Sequence, residues 1–202
     1  MVDNASDTGI EALRPAAQQR RLAGGRDVAW NISTHWRADD LPAENQIGDG
    51  LFEVDYVPGT AVVLRIAALR ELGYLDESYF FGGELADLCE RGRRQGLGTA
   101  VLVTVEARHD TGIAATWREK LYPYYILRNR FLFVRKLRRP LLVILVPLWT
   151  AYGLLVILRN ALGGRWREAK ILGLALIDGL LGRFGNRNDR VAAVLGGRGN
   201  GS

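Results

Sequence analysis

Apolar positions change their spacing several times along the chain, and each change marks an element. Residues 1–45 are polar with little periodicity, which predicts loops and one short helix over residues 10–22. In residues 51–65, Phe52, Val54 and Tyr56 alternate as in a half-buried strand, Pro58-Gly59 supplies a turn, and residues 61–64 read as a buried strand. Residues 66–72 predict a short helix stopped by Gly73. Leu85, Leu88 and Cys89 recur at i, i+3 and i+4, so residues 84–95 predict a helix that Gly96 ends. The β-branched run at 99–105 predicts a strand, and residues 115–138 a helix that Pro123 starts or kinks.

Residues 141–158 (LLVILVPLWTAYGLLVIL) carry no charge, which is the short end of the roughly 17–25 needed to span a bilayer. Arg135, Lys136, Arg138 and Arg139 flank one end, and Arg159, Arg165 and Arg167 the other. Trp149 and Tyr152 fall mid-segment, away from where an interfacial aromatic belt would place them. Residues 171–181 are apolar but shorter and carry Asp178, which suits a helix lying in a membrane interface. A buried helix hairpin fits the same pattern. The Gly-rich end follows as a flexible tail over residues 186–202.

Charge sharpens this division. Residues 1–116 hold 11 Lys/Arg against 18 Asp/Glu, and residues 117–202 hold 16 against 4. A basic half implies an anionic partner, and cations flanking aliphatic runs point to an anionic membrane surface rather than nucleic acid. One cysteine, Cys89, excludes an intramolecular disulfide. Residues 1–17 contain no apolar run, so no secretory signal is expected there.

The chemistry-bearing segments run from Val54 to Lys136. Val54-Asp55-Tyr56-Val57-Pro58-Gly59 is followed by Gly73-Tyr74-Leu75-Asp76-Glu77-Ser78-Tyr79-Phe80-Phe81 and then Gly83-Glu84-Leu85-Ala86-Asp87-Leu88-Cys89-Glu90-Arg91. Ala107-Arg108-His109 and Tyr124-Tyr125-Ile126-Leu127-Arg128-Asn129-Arg130 complete the series. In this order it resembles the acceptor-side half of a family 2 glycosyltransferase of GT-A (nucleotide-diphospho-sugar transferase) fold. That family shows G-x-x-D-E-x-F-F, then E-D-x-D-L-C-x-R, whose first acidic pair carries the catalytic base. Glu84, Asp87, Leu88, Cys89 and Arg91 match, and Leu85 stands where Asp is usual.

The resemblance implies that Glu84 takes the proton from an acceptor hydroxyl, with Asp87 as the alternative. It also places His109 near the diphosphate or a metal ion, and Arg128 and Asn129 at the active-site wall or on an anionic group. Gly59 would serve the turn and let the acceptor approach the backbone. Spacing alone allows plainer readings: acids suit a helix start, Asp87 and Arg91 form an i,i+4 pair, and His109 is a surface residue.

The family's donor half, with its D-x-D motif holding divalent Mg or Mn on the diphosphate, has no counterpart here. Glu53-Val54-Asp55 has the nearest spacing, and Val2-Asp3-Asn4-Ala5-Ser6 resembles a turn of that half. The expected chain is therefore α/β, a partial GT-A-like domain followed by a basic apolar helical tail. Residues 1–50 form a loop-rich segment, 51–138 the acceptor-side part, 139–185 membrane-associated helices and 186–202 the flexible tail. The resemblance implies transfer of a sugar from a nucleotide-sugar donor to a lipid-linked or polysaccharide acceptor in cell-envelope glycan synthesis. The expected place is the cytoplasmic face of the cell membrane, peripheral or single-pass. The alternative is a non-catalytic, membrane-bound remnant or partner subunit that keeps the acceptor-side fold.

Overall fold

The computed structural model describes residues 22–28, 31–37, 41–57, 61–105 and 114–196. The short helix expected over residues 10–22 falls almost wholly outside them. Strand β1 (Leu22–Val28) pairs antiparallel with β2 (Asn31–Arg37), Leu22 opposite Arg37 and Val28 opposite Asn31. Loops were the expectation here. The period-2 placing of Ile32, Thr34 and Trp36 is the strand signal within β2.

A small antiparallel sheet follows, in the order β3 (Gln46–Gly48), β4 (Leu51–Glu53), β5 (Ala100–Leu102). Phe52 lies opposite Val101, and the Val54 amide extends the pairing to the Thr99 carbonyl at 2.9 Å. Val54 and Tyr56 are buried, as their alternation predicts. The expected strand at residues 61–64 does not form, and Val63 is 99% exposed. Both edges of β4 are already taken by β3 and β5, so a further strand has no place beside it.

Six helices supply the remainder: α1 (Ile66–Leu72), α2 (Glu84–Arg94), α3 (Ala114–Leu137), α4 (Leu142–Leu162), α5 (Trp166–Leu180) and α6 (Asn188–Leu195). Pro123 lies inside α3 and Pro147 inside α4, each removing one N–H from the ladder. α3 is the spine. One face packs with α4, α5 and α6 through Tyr124, Phe131, Trp149, Leu172, Ala175 and Val191, and another meets α2 through Phe133, Leu137 and Cys89.

Two expectations for the C-terminal half need correction. α5 does not lie free in an interface, because Ile171, Ala175 and Asp178 share a buried face turned to α3 and α4. Asp178 is fully buried, accepts the Tyr124 hydroxyl at 2.8 Å and faces Arg190 at 3.3 Å. The flexible tail expected over residues 186–202 instead begins with α6, since Val191 and Ala192 bury themselves against this core. The Tyr125 hydroxyl donates to the Asn188 side chain at 2.8 Å and accepts from the Arg187 amide at 3.0 Å, which fixes the start of α6.

Close approach of α5 to α3 requires Gly179, where an added Cβ would stand 2.5 Å from the buried ring of Phe131. Gly179→Ala should therefore destabilise the fold by about 1–3 kcal/mol in chemical denaturation, the range for overpacking a core.

α2 is tied to the end of α3 by charge. Glu90 is buried and meets Arg93, Arg94 and Arg138 at 2.5, 2.8 and 2.6 Å. Burial alone would raise its pKa, but hydrogen bonds from the three arginines outweigh this and hold it at about 2 against an ordinary 4.5. A depressed carboxylate stabilises the fold above its unfolded pKa and loses that contribution as pH falls through the folded value. Stability should fall between about pH 5 and pH 2, and Glu90→Gln should flatten that slope in acid titrations followed by circular dichroism.

Candidate active site

The turn over residues 76–83 presents Glu84, and the chain folds it tightly. The Asp76 carboxylate accepts the Ser78 amide at 2.8 Å, and the Phe81 amide bonds back to the Tyr79 carbonyl at 2.7 Å. Phe80, Gly82 and Gly83 take φ of 58°, 80° and 100°. At Gly83 a side chain would be strained and would also press on the Tyr79 ring, 3.1 Å from its Cβ. So sharp a turn points several carbonyls inward, and each needs a donor.

Arg128 and Asn129 of α3 are those donors. The Asn129 amide nitrogen lies 3.1, 3.0 and 2.6 Å from the carbonyls of Tyr79, Phe81 and Gly82. Arg128 donates to the carbonyls of Ser78 and Tyr79 at 3.2 and 2.9 Å, to that of Gly185 at 2.6 Å, and to the Asn129 side-chain oxygen at 2.7 Å. Its guanidinium also lies over the Tyr125 ring at 4.6 Å. Burial pushes the Arg128 pKa below its usual value, partly offset by Tyr124, Tyr125 and Asp178. Both side chains are fully committed to the wall of the site. Both are buried, and their donors go to the carbonyls of the turn.

Asp87, the alternative to Glu84 in the resemblance, is held by ion pairs. It is fully buried, with Arg91 at 2.7 Å, Lys136 at 2.6 Å and the Tyr79 hydroxyl at 3.2 Å. Lys136 also reaches Asp76 at 2.6 Å, and Arg91 passes the bonding on to the Leu72 and Tyr74 carbonyls at the end of α1. Burial, then Asp87, drives the Tyr79 pKa far upward, so its phenol stays protonated. For Asp76, burial would raise the pKa, but Lys136 and Ser78 bring it below the ordinary carboxylate range. A carboxylate held by two cations is a joint between elements rather than a ready proton acceptor.

Glu84 differs from these acids. It opens α2 directly after Gly83, and its Oε2 is buried with no hydrogen-bond partner among the described residues. A buried oxygen without a donor normally signals a missing partner, and here a hydroxyl would fill that role. Phe80 and Phe81 stand beside the same turn, their rings 5.2 and 6.1 Å from that of Tyr125. Gly59 and His109 lie outside the described residues. Among the described residues no group of three His, Cys, Asp or Glu side chains is placed to hold a metal ion. Neither of two surface clefts, one of about 480 Å³ beside Arg138 and one of about 340 Å³ beside Asp55, is lined by Glu84.

Arg130, expected with Arg128 and Asn129 at the active-site wall or on an anionic group, has its guanidinium 4.2 Å from the Trp149 ring centre and 4.8 Å from that of Tyr152. The mid-segment position of those two aromatics is the sequence signal for this contact.

Over 93 residues the chain is 32% identical to the low-salt glycan biosynthesis hexosyltransferase Agl10 of Haloferax volcanii. The match takes in 46% of this chain and 30% of that protein, so the chain spans well under half of the relative's length. The similarity supports a glycosyltransferase relationship. No family model matches the chain, and no solved structure does.

Asn129→Ala would strip the donor from three turn carbonyls and from Arg128 its side-chain acceptor. The expected loss is about 2–4 kcal/mol, with faster amide exchange confined first to residues 78–83.

Proposed function

We propose that the chain is the acceptor-side part of a family 2, GT-A-like glycosyltransferase. In this reading it transfers a sugar from a nucleotide-sugar donor to a lipid-linked or polysaccharide acceptor in cell-envelope glycan synthesis. The work is done at the cytoplasmic face of the membrane, with α4 as the membrane-associated element. The relationship to a hexosyltransferase supports the reaction class. The observation that carries the site is the unpartnered, buried Oε2 of Glu84 beside ion-paired Asp76, Asp87 and Glu90.

The chemistry follows from that contrast. An acceptor hydroxyl donates its hydrogen bond to Glu84 while its oxygen attacks the anomeric carbon. The proton passes to the carboxylate as the bond to the diphosphate breaks and its electron pair leaves with the diphosphate. Arg128 and Asn129 keep the turn, and so Glu84, in place without touching substrate. A divalent Mg or Mn ion would neutralise the leaving diphosphate. The described residues alone do not make its site.

Residue 84 is followed by a buried leucine, Leu85, where the family has an acid. That favours a second reading, a non-catalytic membrane-bound remnant or partner subunit.

Transfer from UDP-, GDP- and dTDP-sugars, assayed with Mn²⁺ or Mg²⁺ and a lipid-linked acceptor, separates the two. Glu84→Gln should lower kcat by about 10²–10⁴ with unfolding unchanged, whereas Asp87→Asn should lower the unfolding temperature itself. Equal turnover by Glu84→Gln and the parent would remove Glu84 from the mechanism. Absence of transfer with every donor would favour the second reading.

A further inference from the structure

Among the described residues, and apart from Glu84, Arg130 is the one buried ionic side chain without a hydrogen bond or ion pair. Arg128 has carbonyls, Asp87 and Glu90 have cations, and Asp178 has Tyr124 and two arginines. Arg130 is 9% exposed, its Nε has no hydrogen-bond partner, and no carboxylate among the described residues pairs with it. Among the described residues its guanidinium lies against the faces of Trp149 and Tyr152. Stacking of this kind returns about 2 kcal/mol at best and supplies no counter-ion.

The surroundings say what kind of anion would complete the site. α3 and α4 form an antiparallel hairpin whose turn is the short helix Arg139–Leu141, and Arg130 and Trp149 each lie seven residues from their end of it. That places the guanidinium roughly 10 Å along α4 from the cations at its start. α4 beyond this point is apolar and largely bare: Arg139–Leu162 has mean hydropathy 2.5, with 17% of its apolar window buried. Val143, Ile144, Leu148, Leu155 and Leu158 are exposed along it. A free inorganic anion gains nothing from such a wall, but an anion carried on a hydrocarbon chain does. The planar fork of an arginine suits phosphate oxygens, and stacking holds that fork at a fixed angle.

We propose that Arg130, caged by Trp149 and Tyr152, is the phosphate site for a membrane lipid whose chain lies along α4. This rests on the reading of α4 as membrane-associated. The site is separate from Glu84, because on a helix successive residues diverge by about 100°, so Arg130 faces α4 while Asn129 faces the turn before Glu84.

The test uses the full chain in uncharged detergent, titrated by calorimetry with dihexanoyl phosphatidic acid, dihexanoylglycerol and inorganic phosphate. The expected result is saturable one-to-one binding of the phosphatidic acid and none of the diacylglycerol. Arg130→Met should weaken it at least about ten-fold, with Arg130→Lys between the two. Unchanged affinity in Arg130→Met overturns the site, and so does inorganic phosphate binding as tightly as the lipid. If Arg130→Met fails to fold, Tyr152→Leu, whose side chain is 43% exposed, opens one wall of the cage. It should weaken binding several-fold, and unchanged affinity there is equally fatal. Flotation with anionic vesicles separates this from the wider reading. A parent chain that does not float removes the membrane placement and this site together, whereas flotation with full affinity in Arg130→Met removes only the site.

Discussion

A guanidinium with no access to water and no carboxylate among its hydrogen-bond acceptors sets the terms for the centre of this molecule. Arg128 has to be satisfied by neutral oxygens and aromatic faces, so the chain brings them to it from far apart in sequence. Ser78 and Tyr79 come from the turn before α2, and Gly185 from the segment before α6. The Gly185 amide also bonds to the Ser78 carbonyl at 2.7 Å, so the two segments are stitched to each other as well as to α3. The strained turn, the start of α2 and the entry to α6 are thus one problem with one solution. The plain reason for a positive φ at Phe80 is that relaxing it would pull carbonyls away from Arg128 and Asn129.

The acids divide by the same logic. Asp87 joins α1, α2, the turn and α3 through Arg91 and Lys136, and Glu90 joins α2 to the end of α3. In each case a buried carboxylate is matched by more than one cation, which makes it a joint between elements. Glu84, three residues before Asp87 and at the start of the helix, has an Oε2 without such a match among the described residues. Within seven residues of one helix the fold thus sets ion-paired acids beside one with an unpartnered, buried oxygen.

Much of this was legible locally. The 3.6-residue spacing gave α2, Gly96 stands just beyond its end at φ 77°, and the apolar run gave α4. What was not legible depends on contacts between distant segments. The sequence 61–64 has the composition of a buried strand, yet both edges of β4 are taken, one of them by β5 from residues 100–102. Asp178 reads as a charge on a short apolar helix until Tyr124 is placed opposite. The i,i+4 spacing of Asp87 and Arg91 was visible, but Lys136, which turns that pair into a buried joint, comes forty-nine residues later. Gly59 and His109, on which the acceptor and diphosphate expectations rest, lie outside the described residues.

The aromatic pair in α4 ties the helix to α3 through Arg130. Trp149 and Tyr152 sit one turn apart, with rings 5.6 Å from each other at a steep angle. Their position mid-helix contradicts an interfacial belt, and their contact with Arg130 replaces that role with another. α4 has too little buried surface to be held by packing alone along its length, but it is fixed at this point and at Gly153. There an added Cβ would come within 3.2 Å of Leu176 and 3.6 Å of Leu127. One face of α4 is thus locked to α3 and α5, while Val143, Ile144, Leu148, Leu155 and Leu158 on the rest of it stay exposed among the described residues. Asn129 and Arg130 are neighbours on α3, yet the first holds the turn before Glu84 and the second meets the aromatic pair of α4, so adjacent residues of a single helix join the two regions.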